Sequence, residues 1–252
     1  MKSTGKIGIT DITENMTAAY FDLEFCNERI SRHNVPVAIG ISFRRGGEEI
    51  GRYRALVWCG DEYDLWREQL EHIGYDKKML QCNGKSMAEI TEDLLAAHEE
   101  YQPGLYISLG KQDEDLLKRF VTQELEGWQF CDAIKFLPKR LSMKYDISLE
   151  KYAYICGIAF VHQFDPLADA RSLGEIIWCV LQGKTDEARR QEVAEEYERR
   201  MFLTEYQNKQ QAYSYLTGLP SLTPRQAEKR NVHASYLKKN RATYEFYIHE
   251  AE

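Results

Sequence analysis

The chain has 252 residues, 43% of them hydrophobic and 29% charged, and a formal net charge of −7. This is the composition of a folded protein long enough to bury a full core, and it excludes disordered, collagenous and strongly basic nucleic-acid-coating chains. No apolar run reaches the ~18 residues of a membrane helix. Residues 1–7 also lack the apolar core of a signal peptide, so a cytoplasmic location is the default expectation.

Charge is uneven along the chain: residues 1–183 carry −8 and residues 184–252 carry +1. A local basic rim is all that gripping one strand end requires, so the acidic total does not exclude a nucleic-acid substrate. The six cysteines show neither a CxxC pair nor zinc-ligand spacing, and they read as reduced core thiols.

In chain order, residues 20–25, Tyr-Phe-Asp-Leu-Glu-Phe, read as a buried strand. Residues 36–43 and 50–58 read as two more, joined through Gly46-Gly47 into an antiparallel meander. A helix is expected from Asp61 to near Gly74, with acids in its first turn. Ser86-Met-Ala-Glu89 is a capping box that opens a helix over 87–101, which Pro103-Gly104 ends. A short apolar strand follows at 105–109, then a helix over 113–120 and another over 148–155, capped by Ser148 and closed by Gly157. Asp165-Pro166 opens a further helix that runs to Gly183. Beyond it, one long polar helix is expected over 185–216, and a last one starts at Thr223-Pro224. Strands first and then alternating strand and helix indicate an α/β domain with a mixed sheet over 1–183. Residues 184–252 form a helical extension.

Asp22 and Glu24 lie two apart in the first strand, so both side chains leave the same face. Two adjacent half-buried anions are costly unless a cation joins them, which points to a divalent metal site. Asp113 falls just after the strand at 105–109, at a strand-to-helix junction. Asp169 falls on the first turn of the helix opened by Asp165-Pro166.

These segments, in this order, resemble the DEDD family of 3′-to-5′ exonucleases in the ribonuclease H-like superfamily, and its DEDDh branch in particular. Asp22-Leu23-Glu24-Phe25 matches the first motif, Gly110 to Asp113 the second, and Pro166-Leu167-Ala168-Asp169-Ala170 the second half of the third. The likeness covers residues 17–182. It implies a ribonuclease H-like mixed sheet flanked by helices, and hydrolysis of phosphodiester bonds at single-stranded RNA or DNA 3′ ends. It also implies two Mg²⁺ or Mn²⁺ ions held by Asp22, Glu24, Asp113 and Asp169. Oxygen-only ligands suit those ions better than zinc.

One position departs from the family pattern: Phe164 stands where the family places its general-base histidine, and His162 lies two residues earlier. Three outcomes follow: an exonuclease using His162 as a displaced base, a slow one without a base, or a catalytically weakened module that binds nucleic acid or a protein partner. The extension interleaves tyrosines with lysines and arginines. That pattern serves either base stacking along a strand or packing, onto the domain or onto a second copy in a homodimer.

Overall fold

Residues 7–121, 125, 127–160 and 164–249 are described by the computed structural model. The first three hydrophobic runs form the expected meander. β1 (Thr17–Asn27) pairs antiparallel with β2 (Asn34–Arg45), and β2 pairs antiparallel with β3 (Glu48–Leu56). The β2–β3 turn is the two-residue loop Gly46-Gly47, and Gly46 takes φ +58°, a conformation that glycine adopts without the steric cost of a Cβ. β4 (Leu105–Ser108) lies parallel to β1, and β5 (Phe130–Asp132) parallel to β4, giving a five-stranded mixed sheet in the order β3-β2-β1-β4-β5.

The side-chain alternation of β1 sorts the two faces of this sheet. Ala19, Phe21 and Leu23 join Ile39, Ile41 and Phe43 in an apolar cluster. That cluster is completed by Ile90 and Leu94 of α3 (Met87–Tyr101) and by Leu116 and Leu117 of α4 (Lys111–Phe120). At about 25 cal/mol per Å² of apolar surface, burying side chains of this kind contributes roughly 1.5–3 kcal/mol each. The opposite face, with Tyr20 and Asp22, lies under α7 (Pro166–Leu181). Two glycines permit that approach. A Cβ on Gly40 would overlap the backbone of Pro166 and Leu167, and one on Gly174 would collide with Tyr20 and Arg44.

The capping box holds: Ser86 Oγ accepts from the Glu89 amide at 3.3 Å, and Glu89 accepts from the Ser86 amide at 2.8 Å. The helix expected from Asp61 is shorter, because Leu65 bridges to Glu28 of the β1–β2 connection and keeps 61–66 out of a helix. Only α1 (Arg67–His72) remains of it, and α2 (Lys77–Asn83) follows behind the N-cap Asp76, whose carboxylate accepts from the Met79 amide at 2.7 Å. A short α5 (Leu137–Arg140) precedes α6 (Leu149–Cys156), which Gly157 closes at φ +68°.

The cysteines are free, yet only Cys26 is fully buried and Cys82 is exposed, which corrects the core-thiol expectation for most of them. His98 of α3 is half-buried. Its ring stacks 4.5 Å from Trp128, whose indole stacks 4.3 Å from Tyr106, and its Nδ1 lies 3.0 Å from the Tyr106 hydroxyl. Burial holds its pKa below the usual histidine value.

Internal contacts divide the chain into two compact units, 1–187 and 188–252. The second is built from α8 (Glu187–Gly218) and α9 (Pro224–His249). Its aromatic residues pack these helices on each other: Tyr206 stacks on Tyr244 at 4.0 Å, and Phe202 meets Tyr247 edge-on at 5.5 Å. Tyr215 stays 68% exposed. No helix among the described residues is long and apolar enough to cross a membrane.

Candidate metal centre

β1 outruns its parallel neighbour. Its register with β4 covers only Ala18 to Tyr20, so Asp22 and Glu24 lie just past the C-terminal end of β4. In open α/β sheets that end is where crevices form. Asp22 stands opposite Gly40 of β2, and because Gly40 has no side chain the first turn of α7 settles over that spot and brings Asp169 with it. Ligand atoms of Asp22, Glu24 and Asp169 lie within 4.8 Å of one another.

Asp113 arrives from the other side. Gly110, at φ +113°, turns the chain from β4 into α4, and Asp113 sits in the first turn, 7% exposed. The turn is held by Ser108, whose hydroxyl donates to the Gly110 carbonyl at 2.8 Å. Asp132 at the end of β5 holds it too, accepting from the Gly110 amide at 3.1 Å and the Ile134 amide at 3.0 Å. The Asp113 carboxylate accepts a backbone hydrogen bond from Leu23, which ties α4 to β1 between Asp22 and Glu24.

The electrostatics follow from four carboxylates in one recess. Burial, followed by the charges of Asp113, Asp169 and Glu24, holds the Asp22 carboxyl well above the usual carboxylate range. Burial and then Glu24 push Asp113 up to about 7, against the opposing backbone hydrogen bonds from Leu23 and its own amide. Clustered anions of this kind are stable only when protonated or joined by a cation. An all-oxygen donor set with this negative charge fits a hard divalent ion, magnesium or manganese, and gives no thiolate or imidazole preference for zinc.

Phe164 adopts φ +49°, a left-handed conformation that costs a non-glycine residue about 1–2 kcal/mol. Its surroundings hold it there. The ring packs against the cluster of Cys26, Val37, Leu70 and Tyr75, and lies 5.7 Å from the His72 ring. The Tyr75 hydroxyl donates to the Phe164 carbonyl at 3.0 Å. Next in the chain, Asp165 caps α7 by accepting from the Leu167 amide at 3.1 Å and pairs with Arg54 Nε at 3.1 Å. His162 lies outside the described residues.

The structure therefore brings Asp22, Glu24 and Asp169 together and sets Asp113 beside them within reach of their charge. Sequence reasoning missed the supports. Asp132 carried a legible signal, an aspartate ending a short apolar run where it can cap the next turn. Tyr75 carried none beyond following Gly74, although burial and the charge of Glu24 push its phenol up to about 12.

No family model matches the chain, and no curated protein matches it. Solved structures do. The nuclease domain of 3′hExo, described as a DEDDh family member bound to rAMP, aligns with a TM-score of 0.55 at 11% identity, over 68% of this chain and 96% of that one. A 3′-exonuclease described in 3′-end specific recognition of a histone mRNA stem-loop aligns with a TM-score of 0.55 at 10% identity, over 68% and 84%. Exonuclease I of E. coli in complex with a dT13 oligonucleotide aligns with a TM-score of 0.52 at 11% identity, over 68% of this chain and 40% of that one. At such identities the likeness shows the fold, which is ribonuclease H-like.

Proposed function

We propose that the chain is a metal-dependent 3′-to-5′ exonuclease acting on single-stranded RNA or DNA ends. The observation that carries this reading is the convergence of Asp22, Glu24 and Asp169 within 4.8 Å, with Asp113 electrostatically joined to them. In this reading residues 1–183 are the nuclease domain and 184–252 an accessory helical extension. Asp22, Glu24, Asp113 and Asp169 would hold Mg²⁺ or Mn²⁺. Bound there, such ions supply a water activated at neutral pH and neutralise charge on the phosphate. The chain's own contribution is to fix the acids on rigid elements, β1, α4 and α7, with Gly40 leaving room for the first turn of α7. His162 is the proposed proton acceptor. Neighbours with this fold are described with rAMP, an RNA stem-loop and a DNA oligonucleotide, which supports strand ends of either sugar as substrate.

The second reading, a catalytically weakened module that binds nucleic acid or a protein partner, is favoured by Phe164. Its ring serves the apolar cluster around Cys26 and offers no proton acceptor. Incubating 5′-labelled RNA and DNA oligonucleotides with Mg²⁺ or Mn²⁺ separates the two. Under the first reading the wild type yields a one-nucleotide ladder, Asp22→Ala yields none, and His162→Ala slows cleavage by about 100- to 10,000-fold. No product from wild type, with product from Phe164→His, would establish the second and defeat the first.

A further inference from the structure

The end of the sheet that carries the carboxylates carries a second concavity. A cavity of about 680 Å³, within the ~300–1,000 Å³ range of ligand sites, opens beside β5. Four cations line it: Lys111 of α4, Lys135 after β5, and Lys139 and Arg140 of α5. Its apolar lining includes Phe130 and the half-buried Phe136. The acids on its wall are already engaged. Glu114 pairs with Lys118, and Asp132 accepts from the Gly110 and Ile134 amides. Lys111 is 3.4 Å from Asp115 and Lys135 4.0 Å from Asp132, whereas neither Lys139 nor Arg140 forms an ion pair among the described residues.

The cavity and the carboxylates share a partition. On the first turn of α4, Asp113 is buried toward the acids of β1, while Lys111 and Glu114, at other angles around the helix, line the cavity. Asp132 belongs to both, as it lines the cavity and its charge reaches Asp113.

We propose that this cavity is a subsite for an internal nucleotide of the strand whose 3′ end lies at the carboxylates. The inference rests on the nuclease reading for that placement of the end. Three observations select the occupant. The unpaired cations of Lys139 and Arg140 complement a phosphodiester, the half-buried Phe136 ring offers an apolar surface against which a base can lie, and the cavity shares the first turn of α4 with Asp113. Phosphate contacts position a strand without reading its sequence, so the subsite tolerates any base.

The test uses the full chain and a 5′-fluorescein-labelled oligothymidylate in calcium-containing buffer, with anisotropy read across a salt series. Lys139→Ser/Arg140→Ser should bind roughly tenfold more weakly, and its dependence of log K on log salt should be shallower by about 1.4, the loss of two single-strand phosphate contacts. Lys77→Ser/Lys78→Ser removes the same charge from α2 and should leave the slope unchanged. Both pairs are exposed, so folding is not at stake. Equal slopes for wild type and Lys139→Ser/Arg140→Ser would overturn the proposal. So would a wild type that binds no strand, or an affinity loss seen only with a poly-glutamate peptide. Competition by free thymidine monophosphate as effective as by unlabelled strand would overturn it also, by making the cavity a mononucleotide site. A wild type that binds with the expected slopes but cleaves nothing in Mg²⁺ or Mn²⁺ would sink the nuclease reading while leaving the cavity as a strand site.

Discussion

Asp113→Asn should stabilise the metal-free chain at alkaline pH while weakening its hold on a metal. The Asp113 carboxyl is 7% exposed, and its affinity for a proton rises from the ordinary 3.8 to about 7. At 1.36 kcal/mol for each factor of ten, keeping it charged at pH 8 costs the fold about 4 kcal/mol. With its folded pKa raised, the Asp113 carboxyl holds the proton more tightly in the native state than in the unfolded one. Metal-free stability is therefore greatest below about pH 4 as far as this group is concerned, and it falls as pH climbs toward 7. Asparagine keeps an oxygen that can accept from Leu23 and removes the charge, so the variant should gain about 2–4 kcal/mol at pH 8. For a chain of this size that is a rise in melting temperature of roughly 4–16 °C. Thermal melts in chelator at pH 5 and pH 8 measure it, and a parallel series with Mn²⁺ should favour the wild type instead. An Asp113→Asn chain less stable than wild type at pH 8 in chelator, or a wild type equally stable at both pH values, would refute a buried, mutually repelling set of carboxylates around Asp113.

Two further outcomes follow from the packing around it. Gly40→Ala places a methyl group into the backbone of Pro166 and Leu167, so α7 must shift; stability should fall by roughly 1–3 kcal/mol, and Mn²⁺ affinity should drop because Asp169 moves with the helix, as urea melts and metal titration can read. Glu49 receives two hydrogen bonds from Arg171, at 2.6 and 2.7 Å, which hold its pKa below 4.5. Its contribution is present above the unfolded value and lost as pH falls through the depressed one, so Glu49→Gln should flatten part of the acid limb of a stability profile and leave neutral-pH activity in place.

How far the sequence discloses this molecule depends on whether a residue's role is local. The meander was legible because Phe21, Leu23, Ile39 and Ile41 repeat every second position and Gly46-Gly47 permits a tight turn. The capping box at Ser86 and the cap at Asp165 were legible for the same reason: partner and residue are three or fewer positions apart. Asp22, Glu24, Asp113 and Asp169 were found through motif order, and their convergence needed the fold. Leu65 was misread because its bridge to Glu28 is a long-range contact that overrides the helical preference of the acids before it. The stack of His98 with Tyr106 and Trp128 was not legible, because such a stack leaves no periodic trace. Asp132 and Tyr75 act on residues far away in the chain, Asp132 on Gly110 and Tyr75 on Phe164, and no spacing rule reaches that far.

The hydrogen bond from Leu23 to Asp113 has a consequence for the backbone itself. Where β4 stops, a side-chain carboxylate takes up an amide of the central strand. An ionised oxygen is the stronger acceptor, and a protonated or otherwise engaged one the weaker. The exchange rate of that single amide with deuterated solvent thus tracks the charge state of the acidic recess, so the ladder of β1 reports on its own chemistry without an added label.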